Sequence, residues 1–543
     1  MEKKDKATTT WLEHLEGAIP LEAYGDQLSM YTIALEGWRR GLELTFYHLR
    51  EKRKDKNVIR YLLKSKERTH YFSYSKGDKI TSEAIKACRS KELTRECLVK
   101  HNVPTPIGKS FPRNYNKEEV LEFIDEIDFP VVVKQMKGSL GKGVFVNITD
   151  IDTAFKAIQY NCEVMNSEDF IIEKHVDGDE CRVYVIEDKV IAAVKRVPAN
   201  IVGDGKSTIK DLVEKKNILR KENPNLYKRL IKLDDQALTA LKELNYNEHT
   251  ILSEGEIVFL KETSNLSSGG DPIEVTNHFS PELEKIAISA AKAVGMNHCG
   301  LDMIIDFKKN TGYVIEVNSR AHLGAFLYPI KGVARDVPRA IVDHYFPETK
   351  NNPRTDLIFD YETIVNLFKE GKVYEYTLPS LTISDFIKKK VFFNTKTQSK
   401  SLKVLIRNLA LKLKLNGYVE NSNEGIEVQL AGSKENIESF LREFHTNSIF
   451  VDEINNINVE ESNSMIVSGF SIRENNSLQE KTVNLQRHVG VLKRKNKKLH
   501  DKNHILNDKN HKLNAELKTI KHEYKKLSKG LIRRIINKIR NRK

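Results

Sequence analysis

Cysteine, long apolar runs and nucleophile triads are what this 543-residue chain has little of. Its five cysteines (Cys88, Cys97, Cys162, Cys181 and Cys299) are odd in number, scattered and without metal-ligand spacing. That excludes a disulfide scaffold and a zinc ribbon and fits a reducing compartment. No stretch is long and apolar enough to span a bilayer, and the opening MEKKDKATTTWLEHLEG has no signal-peptide core. The expected location is cytoplasmic, with any membrane contact peripheral and at the inner face. No Ser-His-Asp or Cys-His arrangement stands out. The run GDGKS at 203–207 ends like a P-loop, but Asn200 stands where the first glycine of that motif belongs, which excludes it.

Charge is plentiful but unevenly placed. The formal net charge is +14, while residues 478–543 alone hold 21 Lys and Arg against 5 Asp and Glu. Everything before the tail is therefore weakly acidic, and basicity belongs to the tail. The length predicts several units.

The chemistry points to residues 300–320, GLDMIIDFKKNTGYVIEVNSR. Two apolar, β-branched runs flank a polar turn (308–312) that closes on glycine, the signature of a hairpin. Asp302 stands just before the first strand; Glu316 and Asn318, two apart, share a face of the second. Pairing across the turn would bring these three oxygen side chains together, a ligand set that suits Mg²⁺ (or Mn²⁺) beside nucleotide phosphates.

Upstream, apolar residues at helical spacing from Met30 to Trp38 precede a strand at 42–49, and the alternation continues to Thr81. A helix from Ser90 is stopped by Pro104 and Pro106. The run VVVK followed by QMKGSLGKGVFVN reads as a strand, a glycine-rich turn and a second strand. Its Gly138, Gly141 and Gly143 let backbone approach an anion, and Lys134 and Lys142 supply charge. Strand 170–172 runs into EKHVDGDE, which gathers Glu173, Asp177, Asp179 and Glu180; a later strand ends in Lys195 and Arg196. Charged helices fill 209–250, and the loop NLSSGGDP follows.

In this order the residues resemble the ATP-grasp ligases, and within them the ATP-grasp parts of cyanophycin synthetase and bifunctional glutathione synthetase, above all through RVPANIVGDGKSTIKDLV. The resemblance covers about residues 30–348. It implies that Lys91 and Lys134 hold the α- and β-phosphates of ATP, and that the loop with Gly138, Ser139, Gly141 and Gly143 closes over the triphosphate. It further implies that Glu173 and Val176 frame the adenine, that Glu180 binds the ribose, and that Lys195 and Arg196 reach the phosphates. Asp302, Glu316 and Asn318 would carry two Mg²⁺ ions, and Arg320 would grip the substrate carboxylate or the tetrahedral intermediate. The implied activity is amide or peptide bond formation on an amino acid or peptide, through an acyl phosphate.

Residues 388–461 change pattern to strand–helix–strand–strand–helix–strand, the ferredoxin-like order. They resemble acylphosphatase, but the active loop departs from it. The run TKTQSKSLK puts Lys403 at the arginine position and Thr395, Ser399 and Ser401 in place of glycines, while Asn421 keeps the water-orienting position. Lysine lacks the planar fork that grips an acyl phosphate, so a degenerate domain is expected.

From Leu478 a heptad runs through Leu485, Leu492, Leu499, Leu506, Leu513, Ile520 and Leu527, with Asn496, Asn503 and Asn510 at the other seam position. This predicts a parallel two-stranded coiled coil and hence a homodimer. After Gly530, LIRRIINKIRNRK is a short basic amphipathic stretch suited to an anionic membrane surface. Nucleic acid is the rival partner, disfavoured by the lack of aromatic residues for stacking.

The expected fold is thus multidomain α/β and α+β: a leader (1–28), a pre-ATP-grasp layer (29–112) and an ATP-grasp fold (113–350). A linker (351–387), an acylphosphatase-like ferredoxin-like domain (388–463) and a second linker (464–477) follow, then coiled coil (478–529) and basic tail (530–543). The rival functional reading is a catalytically silent nucleotide-binding scaffold that dimerises and tethers to an anionic membrane or nucleic acid.

Overall fold

A computed structural model describes residues 9–51, 56–136, 143–381, 383–395, 399–422, 425–446, 450 and 454–473. The expected coiled coil and basic tail lie outside the described residues, as do Gly138, Ser139 and Gly141 of the glycine-rich loop.

The first core forms around helix Leu28–Arg39, every residue of which is buried. A helix covered on all sides belongs in the middle of a core. It lies against the antiparallel strands Glu43–Glu51 and Lys56–Lys64 on one side and helix Val337–Tyr345 on the other. The segment expected as a leader contributes to this core through Leu15, Ala18, Ala23 and Leu28.

Residues 351–387, expected as a linker, are structured instead. Helix Tyr361–Lys369 buries Tyr361, Ile364, Val365 and Phe368, and strand Glu375–Leu378 adds an edge to the N-terminal sheet by pairing with Glu43–Glu51. The strand is only four residues long, and although Glu375, Tyr376, Thr377 and Leu378 alternate in burial, so short an alternation is too weak a signal to betray it.

Two sheets position the candidate site. The first has the order Gly108–Pro112, Asp169–Lys174, Val131–Gln135, Val144–Ile148. The second runs Asp271–Glu274, Lys189–Val197, Asp179–Ile186, His298–Asp306, Thr311–Asn318. On strand Asp179–Ile186, alternate residues point to opposite faces. Cys181, Val183 and Val185 join the core that also contains Leu283, Ala287 and Ala290 of helix Pro281–Ala293, while Tyr184 and Ile186 join the N-terminal core. The second face, apolar at Tyr184 and Ile186, turns charged at Arg182 and Glu180, and the site begins there.

Residues 199–260 form a satellite unit: the ribbon Asn200–Val202 with Ile257–Phe259, and helices Ile209–Glu222 and Asp235–Glu243. Thr208 caps the first helix in a reciprocal bond pair with Asp211.

The third sheet has the order Ile454–Glu461, Phe386–Thr395, Gly425–Ser433, Asn416–Asn421, Phe470–Arg473, with helices Lys400–Lys412 and Lys434–Thr446 packed on it. Its first four strands and two helices follow the ferredoxin-like order in the chain. The last strand pairs parallel to Asn416–Asn421, so part of the expected second linker is also sheet. Just before it, Ile466 is fully buried in the N-terminal core and Lys388 pairs with Asp356.

Candidate active site

Strands His298–Asp306 and Thr311–Asn318 pair as a hairpin, with Asp302 opposite Glu316 and Gly300 opposite Asn318. The register shifts between Asp302 and Met303, leaving Ile315 as the extra residue of a bulge, a device that re-aims neighbouring side chains. On the other side Asp302 faces Arg182.

Asp302 is not a free carboxylate. Arg182 donates to it from Nε and from Nη2 (2.9 Å to Oδ2), and Arg196 Nη2 adds a third bond at 3.2 Å. Burial works against the Asp302 charge, but the two guanidiniums outweigh it and hold the carboxyl below its ordinary range. Asn318 adds to that by hydrogen bonding. Glu316 is the opposite case: burial and the neighbouring Asp302 push its pKa up, against the pull of Lys91, Arg182 and Lys134.

Those lysines come from the first sheet and its neighbouring helix. Ser90 accepts from the Leu93 N–H and caps helix Lys91–Lys100, so Lys91 is the first residue of that helix. Burial lowers the Lys91 pKa, with Lys134 adding repulsion, and among the described residues its Nζ donates to the Gln135 carbonyl alone, at 3.4 Å. Lys134 is buried and pairs with buried Glu173 at 2.6 Å. Gly143, at the end of the glycine-rich loop, has φ +67°, and a Cβ there would come within 2.4 Å of Asn161 Oδ1. Val176 is half-buried just after strand Asp169–Lys174.

Strand parity separates the remaining residues. Glu180, Arg182 and Arg196 share the charged face: Arg196 Nη1 donates to Glu180 at 2.6 Å, and Ser264 Oγ also donates to Glu180. Lys195 projects from the other face and pairs with Asp179 at 2.7 Å. The structure does not bring it into the cluster. Arg320 is exposed beyond the hairpin, with Lys76 as a charged neighbour. Sequence reasoning missed Arg182 and Ser264. Arg182 had left a trace: an arginine two residues after Glu180, at the start of an otherwise apolar strand.

The donor set fits a hard divalent cation. Two carboxylates and an amide oxygen are the ligands such ions take, and a cation would relieve the repulsion that raises Glu316. It would have to share Asp302 with the arginines. A second acidic group, His14, Glu36 and Asp336, fits poorly, because Arg40 and Arg354 already neutralise its carboxylates.

Residues 88–224 and 254–334 match the RimK-like ATP-grasp domain. This part of the chain is similar to the RimK-like ATP-grasp domain. The match takes in the lysines, the glycine-rich loop, Glu180, Arg182, Arg196 and the carboxylate hairpin. The chain is 30% identical over 273 residues to a cyanophycin synthetase of Synechocystis, covering 48% of this chain and 30% of that protein. It is likewise 30% identical over 292 residues to the glutathione biosynthesis bifunctional protein GshAB of Streptococcus agalactiae, covering 51% and 38%. The chain thus spans about a third of the length of these curated relatives. A crystal structure of a bifunctional glutathione synthetase from Pasteurella multocida aligns with TM-score 0.43 and 23% identity, over 53% of this chain and 40% of that one. Residues 402–472 match acylphosphatase, a range that begins at the end of the departed loop and takes in Lys403 but not Thr395, Ser399 or Ser401.

Proposed function

We propose that this chain is an ATP-dependent ligase that joins a carboxylate to an amine. The observation that carries this reading is the meeting, inside the ATP-grasp domain, of Asp302 and Glu316 with Lys91 and Lys134. Anionic and cationic side chains facing one another without full pairing suit a polyphosphate and its cations better than they suit a closed core.

A carboxylate is a poor electrophile. In the proposed reaction its oxygen takes the γ-phosphoryl group of ATP and ADP leaves. The amine then adds to the acyl carbon, phosphate departs with the C–O electron pair, and the amine gives up a proton. Phosphoryl transfer rests on positioning and charge neutralisation, which explains lysines and carboxylates rather than a nucleophile triad. Lys91 and Lys134 would bind phosphate oxygens, Glu173 orienting Lys134. Glu180, released from Arg196 and Ser264, would take the ribose hydroxyls beside an adenine framed by Glu173 and Val176. Asp302, Glu316 and Asn318 would hold one or two Mg²⁺ or Mn²⁺ ions, which supply charge neutralisation at the phosphates. Arg182 and Arg196 are better placed than Lys195 to stabilise the oxyanion formed when the amine adds, and Arg320 would meet substrate at the rim. Gly138, Ser139, Gly141 and Gly143 would close over the triphosphate and keep water from the acyl phosphate.

The substrate is an amino acid or a peptide. Outside this domain, the leucine heptad supports a homodimer and the basic end supports contact with an anionic membrane surface at the cytoplasmic face. Thr395, Ser399, Ser401 and Lys403 support loss of phosphatase chemistry in the acylphosphatase-like domain.

Purified full-length chain with MgATP, a panel of amino acids and dipeptides, and hydroxylamine as the amine tests the reading. Acid-dependent hydroxamate and ADP are expected, and both should vanish in Glu316→Ala. Nucleotide binding without ADP release for any acid would favour the silent scaffold.

A further inference from the structure

The turn 223–229 follows helix Ile209–Glu222 and is held rigid at both ends. Asn223 Oδ1 accepts from the N–H groups of Asn225 (2.9 Å) and Leu226 (3.2 Å), while its Nδ2 donates to the Tyr328 carbonyl. At the other end Arg220 donates from Nε and Nη2 to the Arg229 carbonyl at 2.9 and 2.6 Å. Arg220 is itself paired at 2.6 Å with buried Asp271. The Gly25 N–H fastens the N-terminal segment to the Pro224 carbonyl. Such bracing fixes the aim of whatever the turn carries.

It carries Arg229. This guanidinium is one-fifth exposed and donates to Asn225 Oδ1 at 2.8 Å. Among the described residues its one ion-pair partner is Asp26, 3.8 Å away and 89% exposed. Burial depresses the Arg229 pKa; Asp26 opposes this, and Arg196 and Arg182 reinforce it. Both arginines that hold Asp302 thus act on Arg229, which lacks the close carboxylate that each of them has. Asn225 is 1% exposed, and its Nδ2, a donor, has no hydrogen-bond partner. Its close seat depends on Gly324, where a Cβ would lie 2.4 Å from Asn225 Oδ1. A buried donor without an acceptor, beside a half-buried cation whose nearest carboxylate is 3.8 Å away, is unusual unless a ligand completes both.

Resting on the ligase reading above, we propose that Arg229 and Asn225 grip a carboxylate that the substrate carries in addition to the one being activated. The charges acting most on Lys91 are Lys134, Glu316 and Glu173, whereas those acting most on Arg229 are Asp26, Arg196 and Arg182. Gly300, opposite Asn318 on the carboxylate hairpin, lies against Ala321 and Arg182, and Gly324, three residues further on, lies against Asn225, so segment 321–324 joins the hairpin to the turn that carries Arg229. An acid with one carboxylate at the reacting end leaves Arg229 unmatched; an acid with a second carboxylate reaches both. Arg229 is then a specificity residue, and its fork suits two carboxylate oxygens.

The test uses the full chain with MgATP and hydroxylamine, comparing L-aspartate, L-glutamate and dipeptides that contain them with L-asparagine, L-glutamine and the corresponding amide dipeptides. Expected are hydroxamates from the diacids, a KM for the diacid raised about tenfold or more in Arg229→Gln, a smaller change in kcat, and an unchanged KM for ATP. Arg229→Lys should recover part of the loss. Asn225→Asp places a carboxylate against Arg229, so it should cost the same diacid KM while leaving thermal stability equal or higher, which a merely structural pair would not do. A diacid KM unmoved in Arg229→Gln, or amide acids used as well as diacids by the unaltered chain, overturns the grip and leaves the ligase reading standing. No ADP release with any acid overturns both.

Discussion

Two clusters of arginines and carboxylates lie in this chain, one between the N-terminal helix and residues 336–354, the other on the carboxylate hairpin. In the first, Glu36 accepts from Arg40 and from Arg354 (2.8 Å), Asp336 accepts from Arg354 (3.2 Å), and Asp343 accepts from Arg40 (2.6 Å). Each carboxylate there has a guanidinium, and each of these two guanidiniums bridges two carboxylates. In the second, Asp302 is matched in the same way, but Glu316 has no ion pair among the described residues and Lys91 touches only a carbonyl. Both clusters contain a carboxylate whose pKa burial pushes upward, Asp336 and Glu316. A raised carboxylate by itself therefore does not mark a working site. What separates the two is whether the described residues supply the partner, and at Glu316 they do not.

The largest effect should come from removing the unmatched acid. Glu316→Gln is expected to lower ATP-dependent turnover on the order of 10²–10³-fold, the range for losing one charge-stabilising group. Its melting temperature should stay level or rise, since a like charge beside Asp302 is gone. A fall in stability comparable to the loss of turnover would mean that Glu316 is a structural group, and the contrast between the clusters would fail. The converse substitution, Arg354→Met, strands Asp336 and leaves Glu36 with Arg40 alone. A loss of about 3 kcal/mol is expected in denaturant unfolding, with turnover per folded molecule retained. Lost turnover without lost stability there would break the comparison from the other side.

How much of this was readable beforehand follows from the kind of signal each feature leaves. The hairpin was legible because two β-branched runs flank Lys308–Gly312, but the register the turn sets would pair Asp302 with Ile315, and it takes the bulge to bring Asp302 opposite Glu316. The separation of Lys195 from Arg196 was also legible in principle: adjacent strand residues face opposite ways, and treating the two as a pair ignored that. Helix Tyr361–Lys369 repeats its buried residues at i, i+3, i+4 and i+7, and the linker assignment overlooked the pattern. The pairing of Glu375–Leu378 with Glu43–Glu51 joins strands more than 300 residues apart. No local period encodes such a contact. Arg229 had no local signal either, because its role depends on a turn held from three distant segments.

The acylphosphatase-like domain sharpens the contrast in apolar terms. It has its own core, yet Ile466 sits among the N-terminal residues, and Ile358 bridges to Val467. Ile466→Ala should cost about 2–4 kcal/mol through the cavity it leaves, measured by urea unfolding of the full chain. Turnover at temperatures below the transition should be unaffected. A loss confined to a separate, earlier transition of the third sheet would show that the domain is appended rather than braced.

The smallest effect is a titration, and it bears on the first cluster alone. Burial, with Arg354 reinforcing it, lowers the His14 pKa from 6.5 to about 4, although Glu36 pulls the other way. A histidine whose folded pKa is depressed takes up a proton on unfolding between those two values. Its contribution is therefore fully present above pH 6.5 and drains away as pH falls toward 4, by at most about 1.4 kcal/mol per unit. Buried His298 and half-buried His322, lowered to about 3 and about 4 mainly by desolvation, act with the same sign. His14→Gln should flatten stability against pH between 6.5 and 4 by one histidine's share and leave the other two. Combined with Arg354→Met, it should flatten less, because one of the charges that keep His14 neutral has been removed. Equal flattening in both backgrounds would mean that burial alone sets the histidine, and that the matched charges of this cluster hold the chain together without tuning anything inside it.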